Sequence, residues 1–311
     1  MSPELIIALL AAAVQGAAPI LFATLGEMLS EKAGVLNLGV EGVMALSAFA
    51  AFIVCHLTGS AVLGLFAGGF AGALLCGLHA LVCQVFLGNQ VVSGLALTIF
   101  GVGLSDFLGT PYVGVGTEGF RQFAVPLLSH LPMLGPVLFR QDAMVYLVYC
   151  APVAVWFLLN RTSLGLGLRA TGEMPAAAAA AGLNPQRLRA FGVMAGGFLC
   201  GLGGAYLSLA HTHLWSTGLS GGRGWVAVAL VIFAFWRPGR AVIGALLFGG
   251  VMAFQLRLQA EGTNVPSSLL LMLPYALTVI VLVFSAARAK YLKTGHSAAP
   301  AALGVNIEPE G

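Results

Sequence analysis

Several charged and amide side chains that could do chemistry lie in one segment, residues 26–42, which reads GEMLSEKAGVLNLGVEG. It places Glu27, Glu31, Lys32, Asn37 and Glu41 between two long apolar stretches. A charge at membrane depth is costly unless it is paired or hydrated. We therefore expect a structural ion pair between Lys32 and the two glutamates that stand four residues apart. Asn37 and Glu41, which stand among three glycines, are candidates for a substrate path.

A second set of polar side chains lies at the start of a later apolar stretch. Asn89, Gln90 and Ser93 could contact the hydroxyls of a solute, and Phe100 could stack on a ring. Capping of a helix by Asn89 is the simpler alternative. Phe100 could equally face lipid, as many Phe residues of membrane helices do. The substrate path therefore has six candidates, of which these four are open to a structural explanation.

Residue types needed for catalysis or metal binding do not form a pattern. The histidines have no carboxylate at helical spacing, and the five cysteines lie in apolar stretches without metal-ligand spacing. A GxxxxGK[ST] phosphate loop is absent from the sequence, whose lysines are Lys32, Lys290 and Lys293. We expect no catalytic residue, no metal and no cofactor bound by this chain. The energy for any transport would come from a partner or an ion gradient.

The composition indicates an all-α integral membrane protein. Of 311 residues, 59% are apolar and 8% are charged, against about 45–50% and about 25% in soluble domains. Residues 42–105 contain no Asp, Glu, Lys or Arg. Apolar length and charge breaks predict nine spans, within a range of eight to ten, and interrupted helices at 26–42 and 223–236. The nine lie near residues 4–25, 41–57, 61–87, 90–107, 143–160, 190–212, 223–236, 241–256 and 266–287.

Glycine makes up 42 of the 311 residues, about twice the usual share of roughly 7%. The segments GGFAGALLCG, from Gly68, and GGFLCGLGGA, from Gly196, carry small residues four apart. Such spacing lets helix backbones approach closely in a membrane.

The basic residues predict the topology. With alternating spans and the C-terminus inside, ten of the fourteen Lys and Arg residues fall on the cytoplasmic side. We therefore expect the N-terminus outside, a transmembrane domain over residues 1–293 and a flexible tail over 294–311. The net charge of +3 is too small and too scattered to suggest binding of nucleic acid.

Residues 161–189 form the main cytoplasmic loop. Pro175 can open a helix, six alanines follow it, and Gly182 and Pro185 can end it. The predicted product is a helix of about two to three turns that docks a cytoplasmic protein through small side chains. A solvated loop anchored by basic residues is the alternative.

Four stretches together resemble one family. They are Thr24–Gly42, Val92–Ser105, Ser163–Arg189 and Gly222–Gly250, in that order along the chain. They are similar to the permease subunits of bacterial ABC importers for nucleosides and simple sugars, within the larger ribose and branched-chain amino-acid permease group. The match covers about a third of the chain and is spread over most of it.

The resemblance implies partners and a coupling surface. The partners would be a second permease subunit, expected to be a different chain, two cytoplasmic ATPases that hold ATP, and an external substrate-binding protein. The chain would lie in membrane lipid as a multi-pass protein of the bacterial cytoplasmic membrane. The implied contacts with the ATPase are Gly172, Glu173, Pro175, Ala178, Ala181 and Gly182. The sequence departs from the family where Ala176 and Ala179 replace usual acids and where Arg237 replaces a common asparagine.

The expected function is import of a nucleoside or a related small polar solute. A permease for branched-chain amino acids or simple sugars is the first alternative. A gradient-driven secondary transporter is the second, and a membrane enzyme has the least support because no catalytic set is present.

Overall fold

A computed structural model describes residues 3–262, 265–291 and 299–307. Helices dominate these ranges, with one small antiparallel pair of strands, β1 (Gln122–Ala124) and β2 (Arg140–Asp142). The fold is therefore all-α, as predicted. The α-helices are α1 (Pro3–Lys32), α2 (Val40–Thr58), α3 (Ala61–Gln84), α4 (Gln90–Gly109), α5 (Leu134–Leu138), α6 (Ala143–Arg161), α7 (Ser163–Glu173), α8 (Pro175–Ala180), α9 (Pro185–Tyr206), α10 (Arg223–Phe233), α11 (Pro238–Ala260), α12 (Ser267–Leu271) and α13 (Leu273–Tyr291).

Seven helices in the described ranges are long and apolar enough to cross a membrane: α1, α2, α3, α4, α6, α9 and α11. Two shorter apolar helical stretches, Arg223–Phe233 and Leu269–Val281, accompany them. Each of the nine predicted spans therefore has a helical counterpart. The helix α10 has 11 residues, and a crossing needs about 20, so α10 covers only part of the bilayer.

The first predicted interruption is shorter than expected. The prediction ended the first helix at residue 25, but α1 continues to Lys32 and only residues 33–39 are non-helical. A continuous helix satisfies its own backbone hydrogen bonds in an apolar environment. At Gly34, with φ +93°, the backbone leaves the helical conformation. Helix α2 then begins at Val40, beside residues 94–98 of α4.

Glycine contacts set the distance between the central helices. Helix α9 packs against α1, α2 and α3. A Cβ at Gly72 would overlap the carbonyl oxygen of Gly197, and a Cβ at Gly201 would overlap that of Gly68. The two glycine-rich segments noted in the sequence therefore contact each other, and their backbones meet without side chains between them.

Gly72→Ala should destabilise the protein by about 1–3 kcal/mol, because the added methyl must push two helix backbones apart. Gly77→Ala is the matched control on the same helix, since the nearest atom to a Cβ there is 3.7 Å away. Thermal unfolding of the two purified variants makes the comparison. Equal melting temperatures would show that α3 and α9 are not held at this distance.

Candidate transport path and docking surface

The carboxylate of Glu41 joins two interrupted helices. Its Oε1 accepts a hydrogen bond from the Gly222 N–H, and its Oε2 accepts one from the Gly224 N–H, both at 2.7 Å. Glu41 is 7% exposed and lies in the first turn of α2, while Gly224 lies in the first turn of α10. A helix N-terminus has unpaired N–H donors and a partial positive charge, so it favours a carboxylate. The side chain thus fixes where α10 begins.

Residues 216–222, which we call the polar loop, lead into α10. Arg223 closes this loop, since its Nη1 donates to the carbonyl oxygens of Leu219 and Ser220 at 3.3 and 3.1 Å. Asp106 of α4 accepts a hydrogen bond from the Gly218 N–H at 3.2 Å. Two carboxylates and one guanidinium therefore hold the polar loop against α2 and α4.

Part of the polar loop is open to the surroundings. Thr217 and Gly218 are exposed, and the hydroxyl of Tyr275 lies against Gly222. Sequence reasoning selected Glu41 but did not identify this loop as its partner. The signal was present, because STGLSGGRG places four glycines and one arginine between two apolar stretches.

Asn37 shapes the break between α1 and α2. Its N–H donates to Glu27 Oε1 at 2.9 Å, its Oδ1 accepts from the Gly39 N–H at 2.8 Å, and its Nδ2 donates to Cys76 Sγ at 3.3 Å. The side chain is 1% exposed. These bonds give Asn37 a structural role, and a contact with a transported solute stays a prediction.

The two acidic side chains of α1 each bind another element. Glu27 accepts the Asn37 N–H, and Glu31 accepts a hydrogen bond from Trp236 Nε1. The first bond links α1 to the break, and the second links α1 to the chain that follows α10. An ion pair of these glutamates with Lys32 stays a prediction.

Asn89, Gln90 and Ser93 lie at the start of α4, at one end of the helix bundle. The same end carries residues 161–189, and we call it the loop end. Asn89 Oδ1 accepts from the Val92 N–H at 3.1 Å and so caps the helix. Gln90 accepts from the Leu36 N–H at 2.8 Å, and Ser93 is 2.9 Å from His79 Nδ1. The capping alternative for Asn89 thus has a bond to support it. Phe100 is 51% exposed on the outer face of α4.

The predicted docking helix is present but short. It is α8, which has six residues with Pro175 in its first turn. Ala178 is buried against the protein itself, whereas Ala181 and Gly182 are exposed. Ala178 was predicted to contact the ATPase, and this contact stays a prediction, although the side chain packs against its own chain. The outward alanines of α8 and its end are 176, 177, 180 and 181.

The C-terminal residues 299–307 pack against the loop end, although a flexible tail was expected over 294–311. Residues 294–298 and 308–311 lie outside the described ranges. Arg189, 1% exposed, donates to the carbonyl oxygens of Val305 at 2.6 Å and Ala302 at 3.2 Å. A buried guanidinium needs such acceptors to offset its lost hydration.

The same C-terminal segment touches the coupling loop and the break. The Ala302 N–H donates to the Gly172 carbonyl at 2.9 Å, and the Gly304 N–H donates to the Gly34 carbonyl at 3.2 Å. The Glu173 carboxylate accepts from the Ala301 N–H at 3.2 Å. Residues 299–307 thus bridge α7, which precedes the docking helix, and the segment that leads to Glu41.

Comparison with known proteins gives the family. The family described as "Branched-chain amino acid transport system / permease component" matches residues 9–282. The chain belongs to this permease family. Its match covers most of the chain and confirms the resemblance seen in four stretches of the sequence. No solved structure matches the chain.

Curated relatives of this permease carry substrate names, and three of them align over most of both chains. It is 46% identical to a putative glucose ABC transporter permease protein of Haloferax volcanii over 81% of this chain and 78% of the relative. It is 33% identical to a nucleoside ABC transporter permease protein of Lactococcus lactis over 93% and 92%. It is 33% identical to a guanosine ABC transporter permease protein of Bacillus subtilis over 86% and 88%. The permease is therefore a transmembrane subunit of an ABC transporter.

Glu41→Gln should lower transport by the permease at least about tenfold. The new amide places an NH₂ group against an N–H donor, and one hydrogen bond to a charged group is worth about 1.5–3 kcal/mol. Uptake at equal membrane levels of protein measures the effect. Glu118→Gln, at an exposed acid, is the control and should transport normally. Normal uptake by both variants would contradict the role of Glu41.

Arg189→Gln should release residues 299–307 from the permease, because two carbonyl oxygens lose their charged donor. Hydrogen exchange at the Ala302 and Gly304 amides should speed up by about tenfold or more. The control is Arg187→Gln on the same helix, where the side chain is exposed. Unchanged exchange in the Arg189 variant would mean that other contacts hold the segment.

Proposed function

We propose that the permease imports a nucleoside, or a related small solute rich in hydroxyl groups, along a path past the polar loop. Irregular backbone at membrane depth is tolerated where protein or a water-filled cavity covers it, and the polar loop and Glu41 meet that description. Transporters often bind solutes where interrupted helices start or end near the middle of the membrane.

The bonding of Glu41 and Arg223 is the observation that favours a neutral solute. Both Glu41 carboxylate oxygens already accept backbone N–H groups, and Arg223 Nη1 already donates to two carbonyls. An amino acid carries a carboxylate and an ammonium group, each of which would compete for a charged partner. A nucleoside or sugar instead needs hydroxyl and amide partners, such as the Thr217 side chain in the exposed part of the polar loop.

Nucleosides come first because two relatives named for nucleoside or guanosine transport align over most of both chains. A simple sugar is the second candidate, and the relative named for glucose, which has the highest identity of the three, supports it. Both classes are neutral and carry sugar hydroxyls, so the same path chemistry serves them.

The proposal includes partners and an orientation. Two cytoplasmic ATPases would hydrolyse ATP, a second permease subunit would complete the membrane path, and an external binding protein would deliver the solute. We place the loop end in the cytoplasm and the N-terminus outside. The excess of basic residues supports this orientation, as does the position of residues 299–307 at the loop end.

Uptake of labelled guanosine, glucose and leucine by cells that carry the complete set of subunits tests the substrate class. Guanosine uptake should saturate, should be inhibited by other nucleosides, and should survive a protonophore while ATP is maintained. Uptake of leucine alone would reject the substrate class. Loss of uptake with the proton gradient, at constant ATP, would reject the ATP-driven mechanism.

The exposed alanines of the docking helix give a sharper test of coupling. Ala181→Trp should fold normally and lower substrate-stimulated ATP hydrolysis about 5- to 150-fold, since overpacking a fitted contact costs about 1–3 kcal/mol. Ala178→Trp should instead lower the melting temperature, because Ala178 is buried in its own chain.

Ala260→Trp, at an exposed position near the opposite end of the bundle, is the control for adding a tryptophan. The purified complex is the material for hydrolysis and unfolding measurements. Normal stimulated hydrolysis in the Ala181 variant, with a normal amount of bound ATPase, would show that α8 is not a docking surface.

A further inference from the structure

A basic pocket of about 740 Å³ opens at the loop end, between α6, α11 and the turn that follows α10. Its charged lining residues are Lys32, Arg169, Glu173, Arg237 and Arg240. Four of these residues are basic and one is acidic, so the pocket lining carries a net charge of +3. This equals the net charge of the whole chain. The pocket therefore concentrates positive charge on a protein that is otherwise poor in charge.

The arginines of the pocket are available to an anion. Within the described ranges, none of the three lies within 4 Å of a carboxylate oxygen. The Nε atom of Arg169 is buried and has no hydrogen-bond partner there. The guanidinium of Arg240 lies 5.2 Å from the ring centre of Phe235, which orients it without neutralising it.

The backbone adds to the positive electrostatic potential in the pocket. Helix α11 has 23 residues and begins in the pocket, and no side chain caps its N-terminus. A helix of this length places a partial positive charge at its start. The preceding turn has two left-handed residues, Phe235 and Trp236, each with φ +52°. Such backbone is strained in non-glycine residues, and the Trp236 side chain donates a hydrogen bond to Glu31 of α1.

Apolar surface continues from the pocket along the two flanking helices. On α6, Val153, Trp156 and Phe157 are 65%, 45% and 55% exposed. On α11, Ile243 and Leu247 are 65% and 41% exposed. Tryptophan is enriched at membrane interfaces, and both Trp156 and Trp236 line the pocket. The site thus has a charged part at the interface and an apolar part along the membrane.

We propose that this pocket binds the headgroup of one anionic phospholipid, with its acyl chains along α6 and α11. A phosphodiester carries one negative charge and oxygens that accept from a guanidinium fork. Basic pockets between membrane helices suit such headgroups. The groove beside the docking helix is lined by other residues, among them Pro175, Ala176 and Ala179, and shares none with this pocket. Glu173, an implied contact with the ATPase, does line the pocket, so the test below also measures binding of the ATPase.

Native mass spectrometry of the transporter, purified with its partner subunits, tests the proposal. Phosphatidylglycerol and phosphatidylcholine with identical acyl chains are the probes. The wild-type complex should retain one phosphatidylglycerol at concentrations where phosphatidylcholine does not bind. The variant with Arg237→Gln and Arg240→Gln should need about 25-fold more phosphatidylglycerol, since each basic residue near an anionic surface changes affinity about fivefold.

The matched control carries Arg121→Gln and Arg140→Gln, which remove two exposed arginines at the opposite end of the bundle. It should bind phosphatidylglycerol like the wild type. A variant with Arg237→Lys and Arg240→Lys keeps the charges and should recover part of the affinity. Thermal unfolding in phosphatidylcholine checks that all variants fold.

Three results would overturn the proposal. The first is equal binding of the two lipids by the wild-type complex. The second is displacement of phosphatidylglycerol by inorganic phosphate or glycerol phosphate at equal concentration, which would mark a site for a free anion. The third is a glutamine variant that keeps its lipid preference but loses the ATPase, which would mark a protein-docking surface.

Discussion

The hydrogen bonds from Gly222 and Gly224 to the Glu41 carboxylate connect the start of α2, just after the break at residues 33–39, with the polar loop and the start of α10. Helix α2 starts one residue before Glu41, and α10 starts between its two donors. A carboxylate is stable there because two backbone donors and a helix N-terminus replace water. Without it, donors at the start of α10 would be buried without a partner.

Close packing and hydrogen bonds in the rest of the bundle hold this contact in place. Gly224 has no side chain, and a Cβ there would overlap the backbone of Glu41. Gly42 approaches the backbone of Leu97 and Thr98 in the same way, so α2 and α4 meet closely just beyond the carboxylate. The acids of α1 hold the two flanking segments, through Asn37 and Trp236. Small residues thus allow the approach, and hydrogen bonds fix it.

Sequence reasoning predicted the class of fold correctly and singled out Glu41, whose role in transport stays a prediction, because apolar length and a charge at membrane depth are local signals. It ended α1 too early, because the acids at positions 27 and 31 suggested a break in the helix. Both acids have hydrogen-bond partners in the folded protein, and the helix continues past them. It also could not separate Ala178 from Ala181, because the orientation of a short helix depends on what it packs against. The bonds from Arg189 to residues 302 and 305 join positions more than a hundred apart, which no local pattern predicts.

A transport path past the polar loop requires water beside this loop at membrane depth, and the accessibility of single cysteines measures this directly. With the exposed Cys150 replaced, Thr217→Cys should react with a charged, membrane-impermeant thiol reagent in intact membranes, and the transported solute should slow the reaction. Ile99→Cys, at a position 76% exposed on the apolar face of α4, should stay unreactive. Reaction at Ile99 with none at Thr217 would contradict a path past the polar loop.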